Sequence, residues 1–194
     1  MSLQIVQVGD PVLRQFARPL SAPEILSPEI QRLMEEMRDT MREAPGVGLA
    51  APQIGRSLQL AVIEDREEYH KDVSPDQLAA RERKPIPFQV LINPEIVWRS
   101  EDTNDFFEGC LSLGGFSAMV PRARAVKVQY LDEHATPRAL DATGWHARIL
   151  QHEIDHLRGH LYIDHMKSRT FTSLDHLAQY WKNLPPTEVL ARLK

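Results

Sequence analysis

The feature that most constrains this chain is a predicted helix from about Gly144 to Arg158, which carries the letters QHEIDHL at positions 151–157. Residues four apart stack on one face of an α-helix, so His152 and His156 can present ring nitrogens to one metal ion. Glu153 lies on the rim of that face, where it can act on a metal-bound water and not as a ligand. Apolar residues flank the histidines on both sides; they are Leu150, Ile154, Leu157 and Leu161 in one stripe, with Trp145 and Ile149 on the histidine side. Because buried imidazoles usually need a partner or a metal, the helix predicts a metal site.

Two imidazoles need at least one further protein ligand, and the chain contains a single cysteine, Cys110. A lone cysteine excludes an intrachain disulfide framework and leaves an inert thiol, a nucleophile or a metal ligand. One thiolate with two imidazoles is an accepted ligand set that leaves the fourth position open, as in catalytic sites. Sulfur and imidazole ligands suit several transition metals, so the set does not identify the ion.

Length and charge narrow the class of protein. A chain of 194 residues is expected to form one domain, here with a C-terminal tail from about residue 165. The net charge of −4 gives no general electrostatic footprint for nucleic acid. No apolar run approaches the roughly 20 residues that a membrane span needs, and the first residues lack a secretory or transit pattern. We therefore expect a cytoplasmic protein, or a mature organellar form that has already been trimmed.

Hydrophobic periodicity predicts helices and strands in one mixed fold. Ser27 can cap a helix that begins at Pro28, with apolar residues recurring along one face. Strands are predicted at 58–64, 88–92, 96–99, 126–130 and 138–142, with the second and third meeting at a turn through Asn93-Pro94. The charged, proline-marked residues 65–87 predict a long surface excursion with a helical piece near 75–83. We predict an α+β fold in which mixed or antiparallel strands surround the metal helix.

A second unusual stretch, residues 46–55, reads GVGLAAPQIG. Its glycines and alanines leave the backbone unshielded, which suits close approach by another chain or a ligand. A tight connection between helix and strand would also explain the glycines, but not the polar Gln53 among small apolar residues.

Three motifs now occur together and in order: residues 46–55, the letters EGCLS at 108–112, and QHEIDH at 151–156. In these motifs, over roughly residues 5–165, the chain resembles the peptide deformylase family. Further matches are Gly9-Asp10-Pro11 with Leu13-Arg14, Ile92-Asn93-Pro94 and Val120-Pro121-Arg122. The chain departs from many bacterial members at Leu113-Gly114-Gly115-Phe116, where those have Ile-Pro, and at Trp145, where those have a smaller aliphatic residue. Both departures look more like the organelle-type branch and concern the shape of the substrate groove.

The resemblance implies a metal-dependent hydrolase that removes the N-formyl group from nascent polypeptides and releases formate. Cys110, His152 and His156 would hold one divalent ion per chain, natively Fe2+ in many members, with Zn2+, Ni2+ or Co2+ also able to occupy the site. Glu153 would be the general base and then the acid for the departing amine. The Gln53 side chain and the Leu111 backbone N–H would stabilise the oxyanion, so we expect Gln53 to matter for turnover and little for folding.

The resemblance also implies how substrate binds. The peptide would add as a strand against backbone near the first two motifs, at Gly48 and Gly109. The methionine side chain would enter an apolar pocket, for which Val47, Trp145 and Ile149 are candidates, although Trp145 fits the core equally well. Partners would be N-formylmethionyl nascent peptides and, transiently, the ribosome, with no nucleic-acid specificity and no membrane. Glu108 and Arg122 are expected to pair and brace the cysteine loop.

Three alternatives stay open at the level of sequence. A different metallopeptidase would take its third ligand further on, at Asp164 or His165. A non-enzymatic zinc module would fill all four positions with protein, which one cysteine makes difficult. A Cys-His nucleophilic enzyme would use Cys110 as the attacking group and no metal.

Overall fold

The helix predicted to carry the metal ligands runs from Gly144 to Leu157 and packs against strands of two antiparallel sheets. This arrangement comes from a computed structural model that describes residues 3–193. The helices are α1 (Ala22–Ile25), α2 (Pro28–Glu43), α3 (Pro75–Ala80), α4 (Gly144–Leu157), α5 (Leu174–His176) and α6 (Pro186–Arg192). The strands are β1 (Gly48–Ala50), β2 (Leu60–Asp65), β3 (Ile86–Arg99), β4 (Thr103–Cys110), β5 (Leu113–Ala123), β6 (Ala125–Leu131), β7 (Pro137–Thr143) and β8 (Thr172–Ser173).

Both sheets are antiparallel, and each leaves one strand near the site at an edge. The first has the order β1-β2-β3-β6-β7 and the second the order β4-β5-β8. Strands β4 and β5 form a hairpin in which Cys110 pairs with Leu113 across a two-residue connection. The predicted α+β class with a central metal-site helix is therefore confirmed.

Two apolar clusters hold the helices on the larger sheet. The buried stripe of α2 (Ile30, Leu33, Met34, Met37 and Met41) packs with residues of β1, β2 and β3. The apolar side of α4 joins β3, β6 and β7 in the other cluster. Ser27 caps α2 as predicted, since its Oγ accepts a hydrogen bond from the Ile30 N–H at 3.3 Å.

One sequence prediction is wrong. Residues 88–92 and 96–99 do not form two strands around a turn at Asn93-Pro94, because β3 continues through both. Asn93 has a positive φ of 49°, and the register between β3 and β6 shifts between Ile92 and Glu95. The Asn93 side chain also donates to the Leu20 carbonyl and accepts from its N–H, at 2.8 and 2.9 Å. These contacts fix a bulge where the local signal indicated a chain reversal.

The excursion, which we define as residues 66–85, contains a short 3-10 helix (Glu67–His70) and α3. The helical piece predicted near 75–83 is thus present as Pro75–Ala80. The C-terminal segment also has regular structure that packs on the rest of the protein: β8 pairs with β5, and the side chain of Val189 in α6 is buried. Within residues 3–193, no helix has the length and apolar character needed to cross a membrane.

Candidate metal centre and active site

Two imidazoles and one thiol converge between α4 and the β4–β5 hairpin. The Nε2 atoms of His152 and His156 lie 3.2 Å apart, and Cys110 Sγ lies 3.3 Å from His156 Nε2. A tetrahedral site with bonds of about 2.0 Å to nitrogen and 2.3 Å to sulfur would space its donors by roughly 3.3–3.6 Å. The three donor atoms, all within 4.8 Å of one another, therefore fit a single metal ion.

The orientation of His152 is set from behind by Glu108. The Nδ1 atom of His152 lies 2.9 Å from Glu108 Oε2, which leaves Nε2 as the ligand atom. Arg122 holds the same carboxylate in a fork, with Nε and Nη2 each 3.0 Å from one oxygen, and Arg148 Nη1 donates to Oε1 at 2.6 Å. Burial alone would raise the pKa of Glu108, but hydrogen bonds and charges from His152 and Arg122 hold that pKa well below its usual range. The expected pair of Glu108 and Arg122 is present, and Glu108 braces a candidate ligand as well as the hairpin.

Glu153 is a buried carboxyl group that points into the site. Its Oε2 has no hydrogen-bond partner among the described residues, and burial raises the pKa of Glu153 to about 7. The opposite side of the carboxylate lies against Gly48, where an added Cβ would come within 2.1 Å of Oε1. Only glycine leaves room for the carboxylate at this position. Glu153 therefore presents an unpaired oxygen beside the proposed ligands without belonging to their cluster.

Gln53 directs its amide nitrogen toward the same space. Its Oε1 accepts a hydrogen bond from the Ala50 N–H at 2.8 Å, which fixes the amide so that Nε2 points at the centre. Nε2 lies 3.4 Å from Cys110 Sγ and 3.3 Å from Ser112 Oγ. Leu111 follows Cys110 in the two-residue connection of the hairpin. A side-chain donor and a backbone segment thus both adjoin Cys110, one of the three candidate ligands.

These groups open into one cavity of about 410 Å³, within the usual size range of ligand pockets. The site residues predicted from sequence that line it are Val47, Gly48, Gln53, Gly109, Cys110, Leu111, Trp145, Ile149, His152 and Glu153. His156 does not line the cavity and is buried among the remaining groups of the site. Trp145 both lines the cavity and packs against the core, so the two interpretations of this residue apply together.

Several residues in or beside the cavity were not identified from the sequence. Arg148 is buried beside the site, and its signal was a charged residue one helical turn before His152 on the face that carries the two histidines. Ser112, which contacts Gln53, gave no distinct signal. Phe116, part of the 113–116 stretch that the sequence analysis linked to the shape of the groove, lines the cavity from β5. Phe107 and Leu174, which were not identified, line it from β4 and α5. Their approach depends on tertiary packing that no local pattern reports.

The structure also bears on the alternative ligand sets. Asp164 pairs with Arg14 and accepts from the Leu161 N–H at 2.8 Å, while His165 lies 3.6 Å from Asp155. Neither residue belongs to the donor cluster. Within residues 3–193 that cluster contains Cys110, His152 and His156 and no fourth cysteine, histidine or carboxylate. A structural zinc site with four protein ligands, and a peptidase ligand set that includes Asp164 or His165, therefore lack support.

Comparison with known proteins agrees with this geometry. The family model described as polypeptide deformylase matches residues 2–172. The chain is 48% identical over 173 residues to a chloroplastic peptide deformylase 1A of Solanum lycopersicum, covering 89% of this chain and 62% of that protein. It is 45% identical over 194 residues to peptide deformylase 3 of Streptomyces avermitilis, covering 98% and 83%. The chain thus spans less than two thirds of the plant relative's length.

Solved structures give the same picture at the level of the fold. A class I type b peptide deformylase from Acinetobacter baumannii with bound Met-Ala-Ser is similar, with a TM-score of 0.76 and 32% identity over 86% of this chain and 99% of that one. A peptide deformylase from Synechococcus elongatus in complex with actinonin gives a TM-score of 0.71 and 40% identity, over 85% and 79%. The resemblance in the three sequence motifs therefore extends to the arrangement of strands and helices over 86% of this chain.

Proposed function

This chain belongs to the polypeptide deformylase family, and we propose that it hydrolyses the N-formyl group of the N-terminal methionine of newly made polypeptides. Water attacks the formyl carbon, the carbon–nitrogen bond breaks, and the products are formate and a peptide with a free amine. The observation that carries the proposal is the Glu153 carboxylate, whose Oε2 has no hydrogen-bond partner within residues 3–193, beside a three-donor cluster in an open cavity.

The donor set supports one divalent ion per chain, held by Cys110, His152 and His156. We propose Fe2+ as the native ion, with Zn2+, Ni2+ and Co2+ as replacements, since sulfur and imidazole ligands accept all four. When bound, such an ion supplies Lewis-acid polarisation of water and of a carbonyl oxygen.

Glu153 moves the protons in this proposal. Its carboxylate takes a proton from the attacking water and later delivers it to the departing amine nitrogen, so the group ends the cycle as it began. Burial and the lack of a competing partner for Oε2 support this role, because the oxygen stays available to the reactants. Gly48 supports it sterically by admitting the carboxylate to the cavity.

Gln53 and Leu111 stabilise the developing oxyanion. The Gln53 Nε2–H and the Leu111 backbone N–H donate to the formyl oxygen as its negative charge grows in the transition state. One such donor is typically worth about 2.7–4 kcal/mol of transition-state stabilisation. The bond from the Ala50 N–H to Oε1 supports this role by holding the amide with its donor toward the centre.

The peptide binds by strand addition between the two sheets. Strands β1 and β4 are edge strands that face the cavity through Gly48 and Gly109, so backbone groups on both are available to an extended chain. The methionine side chain enters beside Val47, Trp145 and Ile149. The A. baumannii relative with bound Met-Ala-Ser supports a peptide of this kind as the ligand. Because such peptides are nascent, the proposal includes a transient association with the ribosome.

Formate release from formyl-Met-Ala-Ser tests the proposal. The protein is purified anaerobically, its metal is measured, and formate is followed with and without a chelator. We expect formate release that a chelator stops and that the divalent ion restores. Alkylation-sensitive activity that survives the chelator would indicate a cysteine nucleophile instead. Cleavage of unformylated Met-Ala-Ser at a peptide bond would indicate a peptidase.

A further inference from the structure

The excursion, residues 66–85, meets α4 immediately before Trp145. Gly144 has a positive φ of 56°, and a Cβ added there would lie 2.7 Å from the Arg81 carbonyl oxygen and 2.4 Å from Glu82 Cβ. Arg124 joins the two elements, since its Nε donates to Glu82 at 2.6 Å and its carbonyl accepts from the Gly144 N–H at 2.8 Å. The start of α4 is therefore packed directly against the backbone of the excursion.

Three guanidinium groups surround the Trp145 ring. Those of Arg81, Arg83 and Arg148 lie 5.2, 5.3 and 5.9 Å from the ring centroid. Phe106 meets the same ring edge-on, with centroids 6.3 Å apart and an interplanar angle of 71°. The Trp145 Nε1 is buried and has no hydrogen-bond partner among the described residues. The indole makes no hydrogen bond to a described residue. Its position is therefore set by packing against the flat guanidinium groups and Phe106.

The three cations are held in different ways. Arg83 forms a fork on the fully buried Asp65, at 2.7 and 2.8 Å, and Arg148 is bound to Glu108. Arg81 has no carboxylate partner within residues 3–193, and its guanidinium also lies 5.8 Å from the Phe106 centroid. Burial, and then the charges of Arg83 and Arg148, lower the pKa of Arg81. A cation kept beside two like charges and without a counter-ion is unfavourable by itself, so its contacts with the rings must offset that cost.

We propose that the excursion determines substrate specificity: Arg81 and Arg83 position the Trp145 ring as a wall of the pocket that receives the substrate's first side chain. This inference rests on the proposed function and adds a role for residues that do not line the cavity themselves. Arg81 and Arg83 are positioning residues, since each acts on the substrate through Trp145. Loss of the cation lets the ring move, and a long flexible side chain such as methionine then loses its contact surface. A small side chain that does not reach the ring is unaffected.

The test compares Arg81→Met with Lys84→Met. Both variants replace a cation of the excursion with an apolar chain of similar length, but Lys84 is exposed and makes no cation–π contact with Trp145. Formate release is measured on formyl-Met-Ala-Ser and formyl-Ala-Ala-Ser, and the binding of the unformylated Met-Ala-Ser and Ala-Ala-Ser is measured by calorimetry. Because Arg81 has no ion-pair partner among the described residues, its replacement leaves no described carboxylate unpaired.

For Arg81→Met we expect KM on the methionine substrate to rise by about 3- to 10-fold with kcat nearly unchanged, the range of one partly buried cation–π contact. The alanine substrate should change little, so the preference for methionine falls, while Lys84→Met keeps it. Arg83→Lys, which retains a charge for Asp65 but loses the flat guanidinium, should act in the same direction. In a Trp145→Leu background, Arg81→Met should have no further effect on the preference.

Two results would overturn the inference. In the first, Arg81→Met lowers the melting temperature but leaves the preference for methionine at the wild-type value, which makes the excursion a purely structural support. In the second, Arg81→Met still lowers the preference for methionine in the Trp145→Leu background, which shows that Arg81 does not act by positioning the Trp145 ring. If the wild-type chain releases no formate, the proposed function fails, and the calorimetric preference for Met-Ala-Ser still decides the role of Arg81.

Discussion

Replacing Gly48 with alanine should abolish most turnover while leaving the protein folded and metal-loaded. The added Cβ would lie 2.1 Å from Glu153 Oε1 and 2.5 Å from its Cδ, well below the 3.0 Å that real Cβ contacts respect. The Gly48 backbone is not in the left-handed region, so alanine fits the strand and the carboxylate must yield. A retreat of about 1 Å by a catalytic group typically costs on the order of 100-fold in rate.

The effect on folding should be small, because two contributions oppose each other. Alanine reduces the freedom of the unfolded chain, which stabilises a compatible site by about 0.4–1 kcal/mol. Overpacking against the buried Glu153 carboxylate costs about 1–3 kcal/mol, which the gain partly offsets. For a chain of this length each kcal/mol shifts the melting temperature by only about 2–4 °C. The three atoms nearest the new methyl group all belong to Glu153 and not to Cys110, His152 or His156, so metal content should stay at the wild-type level.

The assay is formate release from formyl-Met-Ala-Ser, with metal analysis and thermal unfolding on the same preparations. Gly114→Ala is the matched control for kcat: Gly114 lines the same cavity, but a Cβ there meets Gln7 Oε1 at an ordinary 3.7 Å and does not meet Glu153. We expect kcat of Gly48→Ala to fall by about 100-fold and that of Gly114→Ala to change little. If kcat of Gly48→Ala stays within about threefold of wild type with full metal content, the position of Glu153 does not limit the reaction and the argument is wrong.

Three further substitutions separate turnover, metal retention and stability. Gln53→Ala should lower kcat by about 100- to 1000-fold, because one oxyanion donor is lost. It should also lower the free energy of unfolding in urea by about 1–3 kcal/mol, because the Ala50 N–H loses its acceptor. A loss in kcat below about tenfold would exclude the oxyanion role. Glu153→Ala should lower kcat by about 100- to 10,000-fold, because the reaction loses its general base. It should keep its metal and its stability, since Glu153 Oε2 makes no hydrogen bond to a described residue that could be lost. An active variant would exclude Glu153 as the general base. Arg122→Met removes the two hydrogen bonds that hold the Glu108 carboxylate. It should therefore weaken metal affinity by about 10- to 100-fold and lower the free energy of unfolding by about 3–5 kcal/mol. Unchanged metal content after dialysis would contradict that reasoning.

The residues proposed as metal ligands were accessible to sequence reasoning because local geometry dictates their placement. A spacing of four along a helix fixes two imidazoles on one face whatever the fold. The single cysteine left one thiol to complete the set, and the structure brings Cys110 to within 3.3 Å of His156. The dual role of Gln53 was not accessible. The sequence led us to expect little effect of Gln53 on folding, whereas the structure leads us to expect a contribution to stability, since its Oε1 satisfies the buried N–H of Ala50.

Where the sequence prediction failed, partners distant in the chain decide the outcome. The pair Asn93-Pro94 carries a local turn signal, but contacts with the Leu20 backbone make it a bulge within a continuous strand. The excursion looked like an ordinary charged surface segment, yet its Arg83 is held by the fully buried Asp65. Composition could not separate solvated arginines from those that pack on an aromatic ring.

Glu108 connects the candidate metal centre to the wall of the pocket, because it contacts residues of both. The Glu108 carboxylate makes hydrogen bonds with His152, Arg122 and Arg148, and the Arg148 guanidinium in turn lies 5.9 Å from the centroid of the Trp145 ring. A buried carboxylate with several cationic partners is strongly destabilised by the loss of any one of them, so the group resists independent movement of its members. A substitution of Arg148 itself would therefore reach the orientation of His152 through Glu108. Arg81 has no bond to Glu108, and Arg148 stays held by Glu108 and by the Val120 and Asn104 carbonyls when the Trp145 ring moves, so the Arg81 variant can alter the pocket and leave the candidate ligands in place. This difference is why the Arg81 variant separates specificity from catalysis and a variant of Arg148 would not.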